Sequence, residues 1–123
     1  MFRYVHINII AKNCKKLTGV KNGNIVGEHL LLPGYGDTLP ILEIYSYDQM
    51  IENGLLTPNC VGIAHLAFEV DDVEETVNKF IEYGGSVVGE IVVVKNHNGT
   101  DKIAKFVYVR DIEGNIVELQ SWG

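Results

Sequence analysis

The sequence predicts an α+β domain made of two related halves, and three observations carry that reading. First, Leu42-Glu43-Ile44-Tyr45-Ser46-Tyr47 matches Val117-Glu118-Leu119-Gln120-Ser121-Trp122: each reads apolar, Glu, apolar, variable, Ser, aromatic. Second, each half opens on a β-rich run with a histidine, Val5-His6-Ile7-Asn8-Ile9-Ile10 and Ala64-His65-Leu66-Ala67-Phe68-Glu69-Val70. Third, between the second histidine and the second glutamate the order reads strand, helix, then three strands.

The second half is the clearer one. Ile63 to Val70 is rich in β-formers and reads as a strand. Asp71 and Asp72 follow as N-cap candidates, each with a glutamate three residues on, Glu74 or Glu75. Val73, Val77, Phe80 and Ile81 then lie at i, i+4, i+7 and i+8, one apolar face of a helix. Gly84-Gly85 ends it. Ser86 to Lys95 is β-branched and extended, and residues 96–101 form a polar turn. Lys102 to Arg110 and Ile116 to Trp122 make a hairpin about Asp111-Ile112-Glu113-Gly114-Asn115.

The first half is shorter. Glu43 stands 37 positions after His6, and Glu118 stands 53 after His65. The deficit falls after the first strand, where Lys12 to Asn24 is polar and carries no helical apolar stripe. Gly27 to Leu32 and Ile41 to Tyr47 still read as strands, joined by a turn at residues 33–37. A helix is missing or shortened here.

Composition narrows the function. Ten Lys and Arg against sixteen Asp and Glu give a net charge of −6, with no basic stripe, which argues against a nucleic-acid partner. No apolar run approaches the roughly 20 residues that span a bilayer, so no membrane partner is expected. The first residues show no secretory signal pattern, and Cys14 and Cys60 stand far apart without metal-like spacing. Two reduced thiols in a cytoplasmic protein are expected.

Four segments resemble the vicinal oxygen chelate superfamily, which includes glyoxalase I, the bleomycin-resistance proteins and the extradiol dioxygenases. They are Val5 to Ile9, Leu42-Glu43-Ile44, Gly62 to Asp72, and Tyr108 to Leu119. The resemblance implies one domain over residues 1–123, with module one at 1–58 and module two at 59–123. It implies paired βαβββ modules forming a curled eight-stranded mixed sheet around one divalent metal ion. The implied metal ligands are His6, Glu43, His65 and Glu118.

The residues fit that expectation. Alternate side chains of a strand share a face. His6 then shares its face with Tyr4 and Asn8, His65 with Ile63 and Ala67, Glu43 with Ile41 and Tyr45, and Glu118 with Ile116 and Gln120. Apolar neighbours occupy the opposite faces. Small Ala67 leaves room beside the His65 imidazole. Inward carboxylates are costly unless paired or metal-bound. His29 and His97 have no repeat partner and are set aside, and Tyr45, Tyr47 and Trp122 read as packing residues.

Two imidazoles and two carboxylates suit Zn or Ni first, and also Co, Mn or Fe. By the resemblance, Glu43 is the fourth ligand typical of glyoxalase I, where the metal polarises an enediolate-like intermediate and a displaceable glutamate moves the proton. Glu118 takes that catalytic role, with Glu43 its counterpart. The expected function is thus a lyase or isomerase of the lactoylglutathione lyase type, acting on a small oxoaldehyde-derived substrate. The alternatives are a non-catalytic ligand-binding protein of the bleomycin-resistance type and an extradiol-type dioxygenase, the last with a two-His, one-carboxylate triad.

Two departures matter. Arg3 and Arg110 are the only arginines, so glutathione as co-substrate is poorly supported. Without a helix over it, the first-module face carrying Val5, Ile7 and Ile9 lacks cover. That predicts a homodimer.

Overall fold

The computed structural model describes residues 6–10, 19–20, 23–38, 40–47, 50, 54–96, 99 and 101–123. The chain forms two compact units, Met1–Glu52 and Asn53–Gly123. The first holds β1 (His6–Ile10), β2 (Gly19–Val20), β3 (Gly23–Leu31) and β4 (Ile41–Tyr47). The second holds β5 (Leu66–Glu69), α1 (Val73–Glu82), β6 (Ser86–Val87), β7 (Val92–Lys95), β8 (Ile103–Arg110) and β9 (Ile116–Trp122). The architecture is α+β, with a mixed sheet in each unit.

The two sheets repeat one topology. The first is ordered β1-β4-β3-β2 and the second β5-β9-β8-β6, with β7 beside β6 along the same edge of β8. In each, the first strand runs parallel to the last, and the last pairs antiparallel with the strand before it. The register repeats as well. Asn8 stands opposite Glu43, and Ala67 stands opposite Glu118. Each histidine lies two positions before that partner, so position 6 relates to Glu43 as position 65 relates to Glu118.

In the second unit α1 covers one face of the sheet. Val73 and Val77 of the helix pack against Val107, Val109, Val117 and Leu119, and Phe68, Val70, Phe80 and Ile91 close over the edges of this core. Of the two cap candidates Asp72 is the cap: its carboxylate accepts from the Glu75 N–H at 2.9 Å. The helix ends in a Schellman turn. Gly84 sits at φ +91°, the Gly85 N–H donates to the Phe80 carbonyl at 2.7 Å, and the Gly84 N–H donates to the Ile81 carbonyl at 3.0 Å. Lys105, on the helix side of β8, donates to Glu74 at 2.7 Å. The hairpin loop closes on Asp111, whose carboxylate accepts from the Glu113 and Asn115 N–H groups, both at 2.9 Å.

Four expectations are corrected. Ile81 is 51% exposed rather than on the core face, because at about 100° per residue it lies roughly 80° round the helix from Val73. The strand expected from Ile63 starts at Leu66, and Ile63 is exposed. Gly62 at φ +124° interrupts the extended backbone there, and by register only Ile116 of β9 remains beside that stretch, opposite position 65. Ser86 to Lys95 is two strands rather than one. Four residues, 88–91, stand against two on β8, a bulge that turns Ile91 onto the core. Finally, β3 starts at Gly23 rather than Gly27 and forms a short ladder with β2 inside the polar stretch.

Arg3, Val5, Cys14, His97, residues 11–18 and the side chains of His6 and Ile9 lie outside the described residues. Among the described residues, no helix is long and apolar enough to cross a membrane.

Candidate functional site

Alternation along the strands leaves the second sheet with one helix-covered face and one face that carries polar chemistry. Val117 and Leu119 point to the helix, so Glu118 and Gln120 point away. By register Tyr108 of β8 stands beside Glu118 on that second face, and Ala67 of β5 stands on its other side. His65, one pleat upstream of Ala67, completes the group. Its Nε2 lies 2.9 Å from Oε2 of Glu118, with side-chain exposures of 24% and 18%. The Tyr108 ring packs against the imidazole at a centroid distance of 4.9 Å. The structure thus brings together His65 and Glu118, which are 53 residues apart.

The first sheet repeats the glutamate but gives it different neighbours. Glu43 is half-buried, and His29 of β3 stands directly opposite it. His29 Nε2 lies 3.2 Å from Glu43 Oε1 and 3.0 Å from the Tyr45 hydroxyl. The two rings stack with centroids 6.0 Å apart and planes 10° apart. The Tyr45 hydroxyl is held above the ordinary tyrosine range, first by partial burial and then by the nearby Glu43 carboxylate. His29 is therefore a functional candidate that sequence reasoning set aside, and Tyr45 does more than pack. His29 takes the place, opposite the glutamate, that Tyr108 takes in the second sheet.

Each described pair has the spacing of adjacent ligands on one metal ion. Bonds of about 2.1 Å at roughly a right angle place neighbouring donors about 3 Å apart. His65–Glu118 at 2.9 Å and His29–Glu43 at 3.2 Å both meet this, and imidazole nitrogen with carboxylate oxygen is a donor set for Zn and its neighbours. Among the described residues the donors gather in pairs, and no group of three or more His, Cys, Asp or Glu forms.

Arg110 lies on the same side of β8 as Tyr108 by alternation. Its Nη2 donates to the Leu56 carbonyl at 2.9 Å, while its Nε is buried with no hydrogen-bond partner. The Nη2 bond ties Leu56 to the second sheet.

The profile of the Glyoxalase/Bleomycin resistance protein/Dioxygenase superfamily matches residues 21–119. The chain belongs to this superfamily. The match takes in β3 and β4 of the first sheet, most of the second unit and both glutamates. No curated protein sequence matches the chain. Among solved structures, this superfamily member is similar to a glyoxalase family protein from Bacillus cereus, with 17% identity and a TM-score of 0.77 over 99% of this chain and 95% of that one. It is similar to a glyoxalase family protein from Enterococcus faecalis, with 22% identity and a TM-score of 0.57 over 98% and 96%. A virulence protein from Salmonella typhimurium is similar at 16% identity, with a TM-score of 0.50 over 98% and 97%. These likenesses show the fold. In this superfamily one architecture serves several chemistries, so activity has to be argued from the residues.

Proposed function

We propose that the chain is a metal-dependent lyase or isomerase of the glyoxalase type, acting on a small oxoaldehyde-derived substrate. The observation that carries this reading is the His65–Glu118 pair at 2.9 Å, half-buried on the sheet face away from the helix. The matching register of position 6 with Glu43 supports a second pair of donors. His6, Glu43, His65 and Glu118 would hold one divalent ion, Zn or Ni first, with Co, Mn or Fe also suited. When bound, such an ion supplies Lewis acidity that lowers the cost of negative charge on adjacent substrate oxygens.

The proton chemistry belongs to the chain. Glu118 removes a proton from the hydroxyl-bearing carbon of the substrate and returns it to the neighbouring carbonyl carbon, while the hydroxyl proton passes to the former carbonyl oxygen. The first carbon is oxidised, the second is reduced, and the overall composition is unchanged. Glu118 suits this task because His65 is its single side-chain partner among the described residues. Tyr108, packed on His65, fixes the imidazole plane and keeps water from one side of it.

One observation favours a second reading, a protein that binds a ligand without turning it over. Arg110 is the single arginine among the described residues and one of its nitrogens is taken up by the Leu56 carbonyl, so arginine cations to hold an acidic conjugate such as a glutathione adduct are scarce. We also propose a cytoplasmic homodimer. Supporting this, Leu30 stands opposite Leu42 on the far face of the first sheet and is 42% exposed, and Cys60 is an exposed free thiol.

The test is metal content per chain after dialysis against trace Ni and Zn, for the parent and for Glu118→Ala, followed by isomerase assays on 2-oxoaldehyde–thiol adducts. About one tightly held ion per chain, weakened in the variant, with isomerisation of the adduct, is expected. Metal without turnover supports the binding protein. No metal in the parent overturns the enzymatic reading.

A further inference from the structure

The two glutamates sit at matching places in the two sheets, but their surroundings differ. Glu118 has His65 as its single described partner. Glu43 has His29 of its own sheet beside it, and His29 in turn has Tyr45. His29 Nε2 lies 3.2 Å from Glu43 Oε1, and the Tyr45 hydroxyl lies 3.0 Å from the same nitrogen. Their stacked rings hold the two side chains together next to the carboxylate.

A glycine makes this arrangement possible. Gly27 stands opposite Tyr45 in the antiparallel ladder, and the Tyr45 ring lies across it. A Cβ at position 27 would collide with that ring and with the Ile44 carbonyl. The bare backbone lets the tyrosine lie flat over β3, so that its hydroxyl reaches back to the pleat occupied by His29 and Glu43. In the second sheet the corresponding place, opposite Gln120, is filled by Phe106. The glycine, the histidine and the tyrosine are thus special to the first sheet.

We propose that His29 and Tyr45, seated by Gly27, are positioning residues that clamp the Glu43 carboxylate in one orientation for a metal ion. This rests on the metal reading above. Carboxylates that bind metals are commonly oriented by outer hydrogen bonds, and losing such a bond typically weakens metal binding about tenfold to a hundredfold. The clamp removes rotational freedom of the carboxylate that binding would otherwise have to freeze.

The experiment is a Co(II) titration of the metal-stripped full chain, followed by visible absorption and by competition with a chelator. It uses the parent, His29→Ala, His29→Gln, Tyr45→Phe and Gly27→Ala. Near-ultraviolet circular dichroism checks that each variant is folded. The expected result is a loss of about tenfold or more for His29→Ala and Tyr45→Phe, with an altered Co(II) spectrum. Gly27→Ala should reproduce Tyr45→Phe, and His29→Gln should recover most of the affinity because its amide still donates. Unchanged affinity and spectrum in His29→Ala and Tyr45→Phe overturns the clamp and leaves the metal reading standing. Complete loss in His29→Ala without rescue by Gln, and with Tyr45→Phe unaffected, makes His29 a ligand and overturns its positioning role. A parent that binds no Co(II) overturns the clamp and the metal reading together. Tyr45→Phe removes one oxygen only, so the test survives if a histidine variant fails to fold.

Discussion

Ala67 stands opposite Glu118 in the parallel register of β5 and β9, with His65 one pleat upstream at 2.9 Å from the carboxylate. Directly opposite Glu118 on β5 there is only a methyl group. Ala67→Phe adds a ring beside the His65–Glu118 pair and should weaken divalent metal binding by at least about tenfold. Ala67 is exposed, so stability should change by no more than about 0.5 kcal/mol. Parallel metal titrations and urea midpoints measure the two effects; equal metal affinity in parent and variant would sink the idea.

Leu119 is 1% exposed at the centre of the helix-covered core. Leu119→Ala removes buried surface and leaves a cavity under α1, at a cost of about 2–5 kcal/mol. Urea unfolding followed by circular dichroism reads this directly.

Asp72 should be replaceable by asparagine but not by alanine. The cap bond to the Glu75 N–H is a side-chain oxygen acceptor, which asparagine keeps. Asp72→Ala should lose about 1 kcal/mol and speed hydrogen exchange at Glu75, with Asp72→Asn close to the parent. Equal losses in both variants would place the effect in the charge rather than the cap.

The Glu74–Lys105 pair carries a pH signature. Glu74 is held below its ordinary range, chiefly by the hydrogen bond from Lys105, and Lys105 is held above its own range, chiefly by the same bond. The depressed carboxylate stabilises the fold at neutral pH, and that contribution is lost as pH falls through its folded-state value. The raised ammonium contributes below the ordinary lysine value, and its share is lost as pH rises through its folded-state value. Glu74→Gln should therefore be less stable than the parent between these limits and indistinguishable from it in acid. Both groups are well exposed, so the difference is small. A gap that persists in acid contradicts the assignment.

Size-exclusion chromatography with light scattering at micromolar concentration should give twice the chain mass of 13.7 kDa. A strictly monomeric peak removes the homodimer from the reading.

Much of this was legible in the residue order. The helix from Val73 followed from its 3.6-residue stripe, and its end followed from Gly84-Gly85. The repeated tails marked Glu43 and Glu118, and strand alternation placed each on the face away from the neighbouring apolar residues. His29 was not legible, because the strands before the two glutamates align only through register. Nine residues join β3 to β4 and five join β8 to β9, so simple counting does not set His29 against Tyr108. A test for any His standing across the ladder from a repeated Glu would have found it.

The sequence by itself determined the repeated strand pattern and the second-module helix and marked Glu43 and Glu118 as counterparts, because these are written in local periodicity and spacing. Only the tertiary structure decided which donors meet. A contact between His65 and Glu118, or between His29 and Glu43, depends on the pairing register of strands distant in the chain. That register is set by core packing and loop length, which no single segment encodes.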